Sequence, residues 1–390
     1  MKHTGIAWLG EIPEGWEVRR YKDFSENGMG DTILASDLQK SGVPVYSATQ
    51  SDKIFGYVKE SSVKLCMGDI VIPARGNSIG YVMIIDTEIA TCTQTTIYSK
   101  LNNINIKYVF YCCQGLKDYW FEYDNTAIPQ ITVKQVNNNP IPLPPIAEQK
   151  QIAEFLDEKC TKIDEFIKNT KTAIEKLREM KKAIITEAVT KGLDNTARLK
   201  QTGIAWLGEI PEGWGVRNFT NIFDTLKGIK DKQIQKSEYN ENGSIPIVDQ
   251  GQDLIIGYTN KTDKVVNDLP LIIFGDHTRI IKYIDFPFCI GADGTQVLKA
   301  GIEICYKFGY YALSSLPIQN LGYSRHYKEL KTFPIPLPPI AEQKQIAEFL
   351  DEKCGEVEQV IKKKEEIIKK ALEFKKSLIF EYVTGKKELI

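Results

Sequence analysis

Only three histidines occur in the 390 residues, at His3, His277 and His326. A histidine-based catalytic triad or a multi-histidine metal site has little material to draw on. The eight cysteines (Cys66, Cys92, Cys112, Cys113, Cys160, Cys289, Cys305, Cys354) include no C-x-x-C pair. They read as reduced thiols packed as small hydrophobes, with no metal site. No G-x-x-x-x-G-K-[ST] phosphate loop is found, which argues against ATP hydrolysis. No D/N-P-P-Y/F tetrapeptide of the amino-methyltransferase type is found either, since NNNPIP at Asn137–Pro142 does not qualify. No apolar run approaches the roughly 18 residues of a membrane span, and MKHTGIAWLGEIPEGWE lacks a signal-peptide core. A cytoplasmic location is expected.

Excess charge is also lacking. The formal net charge is −1, with 50 basic and 51 acidic residues. Nucleic-acid binders usually carry a basic domain, so if DNA is the ligand, the positive surface must be local or shared with partner subunits. The tripeptide DEK at Asp157–Lys159 and Asp351–Lys353 superficially matches a nuclease D/E-x-K. It has no Pro-Asp partner upstream and reads as the solvated face of an amphipathic helix. GMGD at Gly28–Asp31 is a turn signal. No catalytic constellation emerges.

What the sequence does contain is repetition. TGIAWLGEIPEGW occupies Thr4–Trp16 and returns at Thr202–Trp214; PIPLPPIAEQKQIAEFLDEKC occupies Pro140–Cys160 and returns unchanged at Pro334–Cys354. The spacings of 198 and 194 residues are far too long for a solenoid. The chain is two tandem units, each a leader, a variable block, a Pro-rich segment and a Lys/Glu-rich tail. The boundaries expected are 1–144, 145–191, a linker at 192–201, 202–338 and 339–385.

Proline is tolerated at the first helical position and pushes its predecessor to extended geometry, so a helix should begin at about Pro145 or Ile146. From there an apolar seam follows 4-3 spacing through Leu156, Cys160, Ile163, Ile167, Thr170, Ile174, Leu177, Lys181, Ile184 and Ala188. Its counterpart runs Leu350, Cys354, Val357, Ile361, Lys364, Ile368, Ala371, Lys375, Leu378 and Tyr382. Such a stripe with charged flanks predicts a coiled-coil-like helix in each tail, ended by Gly192 and Gly385. The partner nearest to hand is the other copy, paired antiparallel. Lys181 and Lys375 fall on the seam at the same offset, either snorkelling from its edge or setting its register.

The variable blocks show short β-branched runs punctuated by Gly, Asn and Asp, followed by helical stretches. Each predicts an α+β domain with a small mixed sheet plus helices. The fold class expected is thus two such domains joined by two long antiparallel helices, as a tandem repeat with pseudo-two-fold character.

The two leaders, the two LPPIAEQ helix starts and the two unlike blocks together resemble the specificity subunit of type I restriction-modification systems, over nearly the whole chain. FGDHTR at Phe274–Arg279 and GADGTQVL at Gly291–Leu298 resemble that family's target-recognition domains; ARGNSIG and TCTQTTI in the first block match less well. The resemblance implies a non-catalytic reader of double-stranded DNA, each domain binding half of a bipartite asymmetric site. It implies two docked copies of a methyltransferase subunit, which bring S-adenosylmethionine, and a restriction/translocase subunit. No cofactor is expected on this chain.

Base reading needs directed hydrogen bonds, from Arg or Lys to guanine and from Asn or Gln to adenine. The candidates in the first block are Arg75, Asn77 and Ser78, then Gln94, Thr95 and Lys134. In the second they are His277, Thr278, Arg279 and Gln296, then Ser324, Arg325 and Lys328. The competing class is a non-enzymatic two-headed scaffold that binds protein or carbohydrate partners.

Overall fold

The computed structural model describes residues 1–49, 54–120, 129–291, 294–320, 322 and 324–389. The chain divides into two compact units: Met1–Thr170 with Glu365–Ile390, and Lys171–Lys364.

In the first unit a four-stranded antiparallel sheet places Ser25–Met29, Thr96–Leu101, Ile70–Pro73 and Met83–Ile84 side by side. A three-stranded sheet orders Gly56–Val58, Val43–Tyr46 and Thr91–Cys92, the last pair parallel. The helix Ile106–Trp120 and the short helix Val133–Asn138 follow. Strand alternation sets the layers: Ile70 and Ile72 join the main core, while Val71, between them, joins a smaller cluster with Met83 and Ile85.

The second unit repeats this topology with other side chains. Its four-stranded sheet orders Phe223–Thr225, Thr295–Ala300, Leu271–Gly275 and Ile281–Ile284, and its three-stranded sheet Gly257–Thr259, Ile245–Val248 and Cys289–Ile290, again with a parallel last pair. The registers match: Thr96 faces Pro73 as Thr295 faces Gly275, and Val71 faces Met83 as Ile273 faces Lys282. Met83 and Lys282 therefore hold the same place, as do Arg75 and His277.

The long helices run Ile146–Lys191 and Ile340–Val383. Every seam residue named above is buried or half-buried. Within the first unit the start of one helix runs antiparallel to the end of the other, with the rings of Phe155 and Tyr382 in tilted contact at 4.5 Å and Lys375 paired with Asp164 at 2.7 Å. Within the second, Lys181 pairs with Glu358 at 2.5 Å.

The segments that repeat letter for letter make the same contacts in each unit. Trp16 donates its indole N–H to Glu148, and Trp214 to Glu342. Buried Gln149 accepts from the Asn105 amide and donates to the Pro144 carbonyl; Gln343 does likewise with Cys305 and Pro338. The DEK aspartates are more than a solvated face. Asp157 accepts from Tyr111 at 2.8 Å and pairs with Lys107, and Asp351 accepts from Tyr311 at 2.7 Å and pairs with Lys307. Burial first, and then the adjoining carboxylate, raises the pKa of both phenols. Each long helix is thereby bolted to the helix that follows its own sheet.

Candidate nucleic-acid interface

In both units an inner strand of the larger sheet, Ile70–Pro73 or Leu271–Gly275, ends in a turn at one end of the sheet. There the chain leaves a buried residue, Ala74 or Asp276, and turns outward at Arg75 or His277. The buried residue is clamped the same way twice. The Ala74 amide donates to the Thr95 carbonyl and its carbonyl accepts from Ile131; the Asp276 amide donates to Gly294 and its carbonyl accepts from His326. Three segments distant in sequence thus converge on one turn.

In the first unit Arg75 is exposed and bridges Gln130, and Gly76 donates to the Pro129 carbonyl at 3.0 Å. Ser78 is buried, and its carbonyl accepts from Tyr81. Asn77 lies in the 3-10 turn Gly76–Ser78, and its side chain lies outside the described residues. Gln94 is exposed with its Oε1 3.0 Å from the Thr32 hydroxyl, and half-buried Thr95 shares a hydrogen bond with Thr93. Lys134 is exposed on the helix that begins just after Ile131. Arg75, Gln94 and Thr95 thus share one end of the sheet, while Ser78 turns inward.

In the second unit a cleft of about 770 Å³ opens at the same end, with Gln296 and Arg325 in its lining. Lys227, Gln233 and Asp276 line it too; the sequence reading missed these, since Lys227 and Gln233 sit in a loop without strand or helix periodicity. His277 is half-buried and donates Nδ1–H to the Ser324 carbonyl at 3.2 Å, which makes Nε2 the acceptor in the neutral ring. Thr278 is exposed and donates to the Gln250 carbonyl at 2.6 Å. Arg279 is half-buried with φ +62°, and its Nη1 donates to the Ile318 carbonyl at 3.3 Å. Ser324 is half-buried, and Lys328 is exposed on the helix Tyr327–Leu330. His326 is fully buried, held to Asp276 by its ring and its amide.

The arrangement offers hydrogen-bond donors and acceptors at one end of the sheet. Among the described residues there is no group of three or more His, Cys, Asp or Glu that could hold a metal, and no helix is long and apolar enough to cross a membrane.

Comparison with known proteins gives one family. The sequence model of the type I restriction modification DNA specificity domain matches residues 13–176 and again 211–370. A Methanocaldococcus jannaschii protein assigned as the type I restriction enzyme MjaX specificity subunit is 30% identical over 420 residues, covering 97% of this chain and 95% of the relative. The MjaVIII specificity subunit from the same organism is 29% identical over 413 residues, covering 96% of this chain and 93% of the relative. A solved chain from a study of complex assembly and conformational transition in the type I R-M system shares the fold. It aligns with a TM-score of 0.69 at 16% identity, covering 97% of this chain and all of that one.

Proposed function

The chain belongs to the type I restriction modification DNA specificity family, and from that premise we propose that its two units read the two halves of a bipartite, asymmetric DNA site. The observation that carries this is one frame bearing unlike side chains: Arg75 stands where His277 stands, and Thr95 where Gly294 stands. A shared frame with different hydrogen-bonding groups at the reading edge is what two different base sequences require.

The paired helices dock two methyltransferase subunits, which bring S-adenosylmethionine, and through them a restriction/translocase subunit. This chain binds and orients; it supplies no catalytic group. Near-neutral charge fits a reader that shares the phosphate contacts with its partners, with Arg75, Lys134, Arg325 and Lys328 among its own exposed cations.

The test is to replace residues 17–139 with the corresponding block of a relative and map the methylated motif in cells. One half of the motif should change and the other persist. Simultaneous change of both halves, or a chain that yields no DNA motif at all, would sink the reading, the latter in favour of a protein- or carbohydrate-binding scaffold.

A further inference from the structure

Lys282 is a buried ammonium in the wall of the second unit, its side chain 4% exposed. Removing a charge from water is costly unless it is well paired and hydrogen-bonded. The fold itself does not demand that charge, because Met83 fills the matching place in the first unit and packs in an apolar cluster.

What Lys282 holds is a loop. Its Nζ donates to the carbonyls of Asp249 at 2.8 Å and Asp253 at 2.5 Å, with an Asp249 carboxylate oxygen 4.0 Å away. The Asp249 carboxylate in turn accepts from the Gly251 amide at 2.6 Å. Between those anchors stands Gln250, which grips the outward turn at two points. Its Oε1 accepts from the His277 amide at 3.1 Å, and its backbone carbonyl accepts from the Thr278 hydroxyl. Desolvation lowers the Lys282 pKa and the Asp249 and Asp253 carboxylates oppose it.

We propose that Lys282 is a positioning residue for base discrimination, acting through the Asp249–Asp253 loop and Gln250 to fix the His277–Thr278 turn. This rests on the reading that the turn meets bases. Without the ammonium the loop loses both carbonyl anchors, Gln250 drifts, and the turn samples orientations that fit several bases about equally. In the first unit Met83 in that place supplies no ammonium.

The test uses the complex purified from cells through a tag on this chain, which selects from duplex DNA randomised at every base. Thr278→Ala first locates the positions read by the turn. Lys282→Met, the residue that the sister unit carries, should then lose discrimination at those same positions by about tenfold, leave the other half of the motif intact, and speed amide exchange at His277. Lys282→Arg should restore it. If Lys282→Met destabilises the unit, Gln250→Ala, which removes the acceptor without touching the buried charge, must give the same loss. Unchanged preference in Lys282→Met while Thr278→Ala relaxes the motif overturns the positioning role alone. A uniform loss of affinity on all sequences overturns it as well. Unchanged preference in Thr278→Ala overturns the reading of the turn, and the positioning role falls with it.

Discussion

The two arginines proposed to read bases differ in how far they are already committed. Arg279 sits in the left-handed region, where a non-glycine residue is uncommon, and its guanidinium donates to the Ile318 carbonyl while Nε is buried without a partner. Arg75 is exposed on extended backbone. Arg75→Ala should therefore cost about 1–3 kcal/mol on the cognate site and relax one base position, with stability unchanged to within about 0.5 kcal/mol. Arg279→Ala should in addition lose about 1 kcal/mol of folding stability with its anchor on Ile318. Thermal melts run beside DNA titrations separate the two. An equal loss on every DNA sequence, with a shallower salt dependence, would assign Arg75 to phosphate and not to bases. The turns that carry Arg75, His277 and Thr278 were legible in the sequence because a polar loop closing a β-branched run is a local signal. Gln250 and Lys282 were not, since each acts on residues about thirty positions away, beyond the reach of any periodicity.

Among the secondary elements, the 4-3 seam was the most legible feature, because a helix that buries one stripe must write that stripe in its sequence. The two seam lysines resolve as cross-helix ion pairs. Lys181 meets Glu358 and Lys375 meets Asp164, positions equivalent under the 194-residue repeat, with the lysine side chains 26% and 22% exposed. Each pair joins different offsets on two antiparallel helices, so shifting the register by one turn would break both. Partly exposed pairs contribute modestly, and a double-mutant cycle of Lys181→Met with Glu358→Gln should give a coupling of about 0.5–1 kcal/mol. The same coupling is expected for Lys375 with Asp164 by denaturant melts. A coupling indistinguishable from zero would return both lysines to snorkelling. The sheets were less legible. Hairpin signals announce antiparallel neighbours, whereas the parallel pairs of Val45 with Thr91 and Ile247 with Cys289 join strands more than forty residues apart. No local sequence rule specifies such a pairing.

At the scale of the whole chain, the first unit is assembled from both ends of the sequence. Residues 365–390 return to it, and Leu378, Ile379, Tyr382 and Val383 lie in the same core as Leu9, Trp16, Tyr108 and Leu156. The junction is specific in detail. The Tyr108 hydroxyl bonds to the carbonyls of Pro142 and Val383, Lys376 pairs with Asp118, and Lys386 donates to the Leu9 carbonyl at 2.8 Å. Gly115 lies against Ile379 so closely that a Cβ there would stand 2.9 Å from its side chain. Four large buried side chains at about 1.5–3 kcal/mol each amount to roughly 6–12 kcal/mol, comparable with the roughly 5–15 kcal/mol that holds a whole domain folded. A chain ending at Lys364 should therefore lose the first unit and keep the second, whose segments lie within 171–364. Limited proteolysis should cut within residues 1–170 and spare the second unit, and a melt with two transitions in the full chain should retain one. Lys107 and Tyr111 would then keep Asp157 as a partner but lose the core that orients them, so restoring residues 365–390 as a separate peptide should bring back protection of the first unit. If the shortened chain protected both units equally, the returning helix would be an accessory to the first core and not a part of it.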